Sequence, residues 1–262
     1  MNVDLSIDTS YEIKHTTTFL SAVLNKHKKK KFVIASSGGI DSSVSVGLCV
    51  KAVGPKNVYV LSLPYMGMNN TSVTYTKLLI SHFNIPSPNF EILNIANAVN
   101  QAIKSLDIPT SDYIRRGNIM ARMRMIYLYD RAKAHEGLVC GTENRTEYYL
   151  GYFTRFGDEA SDIEPIQNLY KTQVYLLSKE LAIPQEIINE QPTAGLWKNQ
   201  TDEEQLGFSY EEADKVLYLH FDKQMSFNKI PITAFPNRDA IKKVIEQNAF
   251  KHHVPYMFNK TN

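Results

Sequence analysis

Short runs of apolar, β-branched residues alternate with longer stretches of helical character through the first two thirds of the chain. Four runs, at residues 31–36, 57–63, 89–95 and 137–141, are bounded by turn residues and are apolar throughout, which predicts strands covered on both faces. The stretches at 42–53, 71–84, 96–106 and 118–135 are long enough to be crossover helices. The pattern predicts a doubly wound α/β fold with a mostly parallel sheet.

The segments on either side of this core are predicted to be helical, at residues 11–27 and from residue 209 onward. No Gly/Ser-rich linker and no internal repeat separates them from the core. We therefore expect a single domain over residues 1–262, with a nucleotide-binding core at about 31–170 and helical additions at both ends.

Composition and charge narrow the possible partners. Of the 262 residues 43% are hydrophobic, enough for a full core, and 29 basic against 27 acidic side chains leave a net charge of +2. A net charge this small gives no overall electrostatic attraction that would hold the protein on nucleic acid or an anionic membrane. The basic run at residues 26–31 closes a predicted helix, so we interpret it as a solvated helix end.

The apolar pattern and the two cysteines indicate a cytoplasmic protein. No run of eighteen or more apolar residues is present, and residues 1–10 carry two aspartates instead of a basic start and an apolar middle. Cys49 and Cys140 lie within apolar runs, which is typical of reduced core thiols.

A glycine-containing loop directly follows the first predicted strand and opens a helix. Its sequence is Ser36-Ser37-Gly38-Gly39-Ile40-Asp41-Ser42-Ser43. The two glycines allow backbone N–H groups to surround an anion while the helix dipole points at it, and the serines add hydroxyl donors. Neither the GxGxxG spacing nor a GK[ST] string is present. We therefore predict a phosphate-binding loop that belongs to neither of these two nucleotide-binding motifs.

Asp41 is unusual in such a loop. A carboxylate beside a bound phosphate would repel it unless a divalent cation lay between them, which implies Mg²⁺. The alternative is that Asp41 only caps the helix, a common use of aspartate.

A second set of polar residues follows the fourth predicted strand. Thr142 comes at the strand end, and Glu147 lies five residues later on a predicted short helix. Ligands of open parallel sheets bind beyond the carboxyl ends of the strands, so Thr142 and Glu147 would face the loop, and Glu147 would be a second Mg²⁺ ligand. Glu147 as an ordinary surface glutamate is the alternative.

Two further features leave alternatives open. The segment at residues 151–158 combines aromatic and charged side chains, which suits either a heteroaromatic ligand or a well-packed hairpin. Arg122 lies on one helical stripe with Ile119, Met123 and Ile126, and a buried arginine needs an anion. That anion is either a protein carboxylate or a ligand phosphate.

The motifs resemble those of a known family. SSGGIDSS is similar to the loop of PP-loop ATP pyrophosphatases, which cleave ATP between the α- and β-phosphates. The ordered strings GNIMARMRM, GTENRTE, GYFTRFGDEASD, PIQNLYKTQ, IPQEIINEQPTAGLW and QTDEEQLGFSYEEAD extend the likeness over residues 32–217. Together they resemble the ammonia-dependent NAD synthetases.

The resemblance implies a Rossmann-like fold of the adenine nucleotide α-hydrolase type and a C–N bond-forming ligase. Such an enzyme amidates deamido-NAD with ammonia through an adenylated intermediate, uses ATP and Mg²⁺, releases AMP and pyrophosphate, and is a homodimer without a glutaminase domain. The implied ATP-binding residues are Ala35, Ser36, Ser37, Gly38, Gly39, Ile40, Asp41, Ser42, Thr142, Lys171 and Thr193, with Asp41 and Lys171 catalytic. Asp41 and Glu147 would bind Mg²⁺, and Arg122, Arg155, Asp162 and Lys251 would contact deamido-NAD.

The chain departs from the family pattern at three places. Arg155 replaces a usual lysine, Glu159 replaces a usual glycine, and of the family's His-Lys-Arg only Lys251 is retained. Glutamate adopts positive φ less readily than glycine, so the change at Glu159 bears on the loop conformation. The alternatives are another PP-loop enzyme, such as a tRNA thiolase or lysidine synthetase, an ATP-binding sensor, or a homologue that binds ATP without amidation.

Overall fold

The computed structural model of the chain describes residues 1, 3–65, 70–193, 195, 201–253 and 255–257. Its strands are β1 (Phe32–Ala35), β2 (Val58–Ser62), β3 (Phe90–Ile92) and β4 (Leu138–Val139). Its helices are α1 (Thr9–Lys26), α2 (Ile40–Val53), α3 (Asn70–His82), α4 (Ala96–Ser105), α5 (Tyr113–Ala134), α6 (Arg145–Leu150), α7 (Lys171–Glu180), α8 (Gln185–Ile188), α9 (Asp202–Leu206), α10 (Tyr210–Leu217) and α11 (Arg238–Asn248). Within the motifs quoted above, Ala194, Leu196, Trp197 and Gln200 lie outside the described residues, as do residues 254 and 258–262 of the predicted helical tail.

The four strands form one parallel sheet in the order β3-β2-β1-β4. Val33 lies opposite Tyr59 on one side and Val139 on the other. The order reverses between β1 and β4, because β2 and β3 are added on one side of β1 and β4 on the other. Parallel α/β sheets bind ligands at such a switch point. All four predicted strands and the doubly wound fold are confirmed.

Helices cover both faces of the sheet. On one face Phe32, Ile34, Val58 and Val60 belong to a buried cluster with residues of α1, α2, α3 and α7. On the other face a second cluster joins the sheet to α4 and α5. Burial on both faces explains why β1 and β2 do not alternate between apolar and polar residues, whereas β3, at the edge of the sheet, contains Glu91 and is only partly buried. The predicted core thiols are confirmed, since Cys49 and Cys140 are buried and free.

The longest helix differs from its prediction. α5 begins at Tyr113 instead of residue 118, because the Asp112 side chain caps it by accepting a hydrogen bond from the Arg115 amide (3.1 Å). The predicted apolar stripe through Arg122 is wrong, since Ile126 is 53% exposed and Arg122 is only partly buried. The buried residues of α5 are instead Gly117, Met120, Ala121, Leu128 and Ala132.

A third buried cluster joins α6, α10 and α11 beside the sheet. It contains Leu150, Tyr170 and Leu217, so it fixes α6 and the start of α7 relative to the C-terminal helices. The basic run is exposed from Lys26 to Lys30, as predicted for a solvated helix end. Among the described helices, a segment both long and apolar enough to cross a membrane is absent.

Candidate active site

A cavity of about 320 Å³ opens at the switch point between β1 and β4. One wall is the loop after β1, another is formed by Gly141, Thr142 and Glu147 after β4, and Lys171 at the start of α7 closes the site. Leu63, Met125 and Leu128 form an apolar side. The cavity therefore combines a phosphate-type loop, charged groups and an apolar surface.

The loop is held in shape by its own hydroxyl groups. Ser42 and Ser43 donate to the Gly39 carbonyl oxygen at 3.0 and 2.8 Å, and the Ser36 hydroxyl lies 3.0 Å from that of Thr76. Gly38 has φ +78°, and a Cβ there would lie 2.7 Å from the Ser72 carbonyl oxygen. Only glycine combines this backbone with such a close approach. The Ser37, Gly38 and Gly39 amides donate long hydrogen bonds of 3.3, 3.4 and 3.2 Å to serine hydroxyls of the same loop, and a bound anion would replace these acceptors.

Gly38→Ala should therefore damage the site strongly. The added methyl group meets backbone instead of a movable side chain, and alanine at positive φ is strained, which together cost about 1–3 kcal/mol or more. We expect the KM for ATP to rise at least about tenfold. Gly54→Ala is the matched control, because Gly54 also has positive φ (+80°) but no atom lies within 4 Å of its added Cβ. Equal effects of the two substitutions on the KM would contradict the assignment of the loop.

Three charged side chains converge beside the loop. The Lys171 ammonium forms an ion pair with Asp41, and its side chain is 2% exposed. The Asn144 side chain donates to the other Asp41 oxygen at 3.0 Å. Asp41 thus faces α6 and α7 and does not cap its own helix, whose N-cap, Gly39, makes no side-chain capping bond. The helix-cap interpretation of Asp41 is wrong.

Glu147 completes this set through the α6 N-terminus. Asn144 and Glu147 form a capping box, in which the Asn144 side chain accepts from the Glu147 amide at 3.0 Å and the Glu147 carboxylate from the Asn144 amide at 3.3 Å. Burial and then the charge of Asp41 raise the pKa of Glu147 well above its usual value. Glu147 lines the cavity, so it is not an ordinary surface glutamate.

Lys171 remains charged despite its burial. Burial alone would lower its pKa, but the charges of Asp41 and Glu147 and the hydrogen bond to Asp41 outweigh that effect and raise it. The site therefore holds a fixed positive charge next to two carboxyl groups.

The start of α7 is positioned by a buried polar network that the sequence did not reveal. The Lys171 amide donates to the Thr146 hydroxyl at 2.9 Å, and the Thr172 amide donates to Asp214 at 2.8 Å. Thr146 in turn donates to Asp214. Asp214 is fully buried and comes from α10, so a residue 43 positions away along the chain holds the helix start that carries Lys171.

Asp202 is a second site residue that the sequence reasoning missed. It is 4% exposed, lines the cavity, and accepts hydrogen bonds from the Tyr152 and Tyr210 hydroxyls at 3.1 and 3.0 Å. The Tyr210 ring lies 5.1 Å from the Lys171 ammonium. The only sequence signal was that Asp202 and Tyr210 lie within the family-like string that ends at Asp214.

Most of the predicted ATP-binding residues line the cavity. They are Ala35, Ser36, Ser37, Gly38, Gly39, Ile40, Asp41, Thr142, Lys171 and Thr193, with the predicted metal ligand Glu147. Ser42 is buried beneath the loop and supports it from inside. The Thr193 hydroxyl accepts a hydrogen bond from the Gly195 amide at 3.0 Å.

The four residues predicted to contact deamido-NAD are not among those that line this cavity. Arg122 donates to the Arg155 carbonyl oxygen at 3.2 and 3.3 Å, and Lys251 donates to the Gly151 and Phe153 carbonyl oxygens at 2.6 and 2.9 Å. Asp162 accepts from the Val139 amide at 2.8 Å. The partner of Arg122 is thus a backbone carbonyl, and Arg124, two residues later, lines the cavity instead.

The segment from Gly151 to Asp158 consists of turns, so the hairpin interpretation is wrong. Phe156 adopts φ +60°, whereas Glu159 is not among the non-glycine residues with positive φ. The Glu159 carboxylate accepts a hydrogen bond from the Phe156 amide at 2.7 Å. The replacement of the usual glycine by Glu159 therefore introduces no left-handed backbone strain.

Comparisons with known proteins identify the family of the chain. A family model described as NAD synthase matches residues 12–255. An NH₃-dependent NAD⁺ synthetase of Pelodictyon phaeoclathratiforme is 40% identical over 254 residues, which are 96% of this chain and 90% of that protein.

Two solved structures are similar over 97% of this chain and 100% of their own. They are an NMN synthetase from Francisella tularensis (TM-score 0.84, 32% identity) and an NH₃-dependent NAD synthetase from Campylobacter jejuni in complex with nitrate (TM-score 0.80, 27% identity). The resemblance inferred from the motifs is confirmed. The chain belongs to the NAD synthase family, a family of C–N bond-forming ligases.

Proposed function

We propose that the protein converts deamido-NAD, ATP and ammonia into NAD, AMP and pyrophosphate through an adenylated intermediate. The observation that carries this proposal is the cavity in which the Gly38–Gly39 turn faces the ion pair of Asp41 and Lys171. A glycine turn at a helix N-terminus binds phosphates, and a buried cation beside it stabilises charge on a departing pyrophosphate.

In this mechanism the protein positions its substrates and stabilises charge. The loop amides hold the ATP phosphates while the nicotinate carboxylate of deamido-NAD attacks the α-phosphorus. The Lys171 ammonium offsets the negative charge that develops on the leaving pyrophosphate. Ammonia then attacks the acyl carbon of the adenylate and displaces AMP. No side-chain nucleophile is required, which fits a site that presents carboxylates, hydroxyls and one amine around a turn.

We also propose that Asp41 and Glu147 bind Mg²⁺ together with ATP. Two carboxylates fit this ion, which takes oxygen ligands and is held by one or two carboxylates plus substrate phosphates. The raised pKa of Glu147 fits as well, because a cation between the carboxyl groups would offset the mutual repulsion that contributes to it. When bound, Mg²⁺ would neutralise phosphate charge.

The reaction is tested by incubating the protein with deamido-NAD, ATP, MgCl₂ and ammonium chloride and by omitting each component in turn. We expect NAD and AMP in equal amounts, and no NAD when any component is missing. Glutamine in place of ammonium should give no NAD in an ammonia-free assay. ATP binding without NAD formation would reject the proposed function and favour a sensor or an inactive homologue.

The mononucleotide is a second candidate substrate, favoured by the similarity to the NMN synthetase of F. tularensis. Nicotinate mononucleotide carries the same carboxylate as deamido-NAD but lacks the adenylate half. Comparing kcat/KM for the two acids decides between them. A higher value for the mononucleotide would make NMN, not NAD, the principal product.

We further propose a cytoplasmic homodimer that binds neither nucleic acid nor membrane. Exposed apolar residues on α5 suit a subunit interface, since Tyr113, Ile114 and Ile126 are 56%, 67% and 53% exposed. The predicted deamido-NAD contacts at Arg122, Arg155, Asp162 and Lys251 belong to this proposal, because that ligand would extend beyond the ATP cavity. Sedimentation of a monomer at working concentration would contradict the dimer.

A further inference from the structure

Two carboxyl groups lie behind the cavity wall that follows β4. Glu143 is next to the cavity residue Thr142 and is 6% exposed. One of its carboxyl oxygens accepts a hydrogen bond from the Gln167 amide at 2.7 Å. The other oxygen, Oε1, is buried and has no hydrogen-bond partner among the described residues. A buried carboxyl oxygen without a donor is costly, so this atom points to a missing ligand.

Glu164 is the second carboxyl group. Its oxygens accept from the Glu143 amide at 3.1 Å and from the Ser161 hydroxyl at 2.7 Å. A Cβ placed on Gly141 would lie 1.7 Å from the Glu164 carboxyl oxygen, so this carboxyl occupies the space that a side chain would take at a glycine lining the cavity.

Glu164 also reaches the outer surface. It lines a second depression of about 630 Å³, together with Glu12 and His15 of α1 and Arg145 of α6. Glu164 therefore connects the depression to the wall of the active cavity, since it also accepts from the Glu143 amide and lies against Gly141. A small ion entering from the depression would reach Glu164 before Glu143.

The charges around this pair are mostly negative. Burial raises the pKa of both Glu143 and Glu164 to about 8, although hydrogen bonds from Gln167 and Ser161 oppose the shift. The charges of Asp158 and Glu159 raise the pKa of both residues further, and Glu147 also interacts with Glu143. On the positive side, Lys251 interacts with Glu143, and Arg145 and His15 line the depression together with Glu164. A bound cation would offset this excess of negative charge.

We propose that Glu143 and Glu164 form a binding site for the ammonium ion that holds the nitrogen donor beside the active cavity. This inference rests on the proposed function, because it assigns a site to the ammonia consumed there. Ammonium fits the chemistry, since its four N–H donors match an unpartnered carboxyl oxygen and a second carboxylate nearby. Potassium shares the charge but donates no hydrogen bond.

The same site would convert the bound ammonium into ammonia, which is the nucleophile of the amidation. Ammonium transfers one proton to the Glu143 carboxylate, which becomes a neutral carboxylic acid, and the product is NH₃ with its lone pair free. A carboxyl group with a raised pKa accepts that proton more readily than an ordinary glutamate does. The ammonia then has only the Gly141–Thr142 wall between it and the cavity.

The kinetic test replaces each glutamate with its isosteric amide. Glu143→Gln and Glu164→Gln should each raise the KM for ammonium about 10- to 100-fold, the loss of one charge-assisted hydrogen bond, while the KM for ATP stays unchanged. Glu180→Gln removes an exposed carboxylate and is the control. An unchanged ammonium KM in both variants would overturn the proposal while NAD formation still supported the proposed function.

A binding test separates the site from the reaction. Without ATP or acid substrate, and above pH 8 where both carboxyls ionise, ammonium chloride should raise the unfolding temperature more than potassium or sodium chloride of equal ionic strength. Glu143→Gln should abolish the difference. If ammonium raised the unfolding temperature in this selective way but the protein formed no NAD or NMN, the cation site would be supported and the proposed function would be rejected. An equal rise with potassium would overturn the assignment to ammonium.

Discussion

Asp41→Ala should reduce turnover at least about 10³-fold, to the background of the assay. The substitution removes a proposed Mg²⁺ ligand and also the partner of the buried Lys171 ammonium. The lysine is then free to bind a phosphate oxygen in place of Asp41, which would hold the triphosphate in the wrong position. We therefore expect ATP binding to persist while the formation of AMP from ATP and deamido-NAD is lost, and both are measured directly.

The fold should survive this change. An unpaired buried charge costs about 3–5 kcal/mol, but Glu147 also interacts with Lys171 and remains as a countercharge. The free energy of unfolding in urea should therefore fall by less than that amount. Asp239→Ala is the matched control, because Asp239 occupies the same second position of α11 and its side chain is 61% exposed. If Asp41→Ala retained Mg²⁺-dependent turnover, the metal assignment would be wrong.

The sequence predicted the sheet and the loop of the site because their signals are local. Each strand is a short apolar run between turn residues, and the SSGGIDSS string lies at a strand-to-helix junction, where its ligand-binding role depends on neighbours in the chain. The carboxyl ends of parallel strands meet at one edge, so Thr142 and Glu147 could be placed opposite the loop without knowledge of side-chain packing.

The buried face of α5 and the residues that support Lys171 could not be predicted, because they depend on packing between distant segments of the chain. The stripe through Arg122 failed because α5 is buried partly through the small residues Gly117 and Ala121, which contribute little to a hydrophobic pattern. Asp214 of α10 supports the start of α7, which carries Lys171, but no spacing in the sequence indicates that these two helices are in contact. An aspartate of α10 looks like an ordinary helix residue until the fold buries it.

Lys171→Met should be the second severe substitution, with a fall in kcat of about 10²- to 10³-fold. Methionine fills a similar volume but lacks the cation that offsets charge on the pyrophosphate. It also leaves Asp41 and Glu147 facing each other without the ammonium between the charges, so the free energy of unfolding should fall as well. Lys179→Met is the control, because Lys179 is exposed near the end of the same helix.

A double substitution measures how far the Asp41–Lys171 ion pair itself stabilises the fold. In Asp41→Asn with Lys171→Met both members of the ion pair are neutral, so the stability cost should be smaller than the sum of the single costs by at least about 1 kcal/mol. Turnover should remain lost, because the proposed Mg²⁺ ligand and the cation that offsets charge on the pyrophosphate are both missing. Recovery of stability together with turnover would show that neither charge takes part in the reaction and that the two residues only balance each other. Recovery of stability alone would confirm the pairing, and the catalytic role of Lys171 is then measured by the kcat of the single variant, which keeps Asp41.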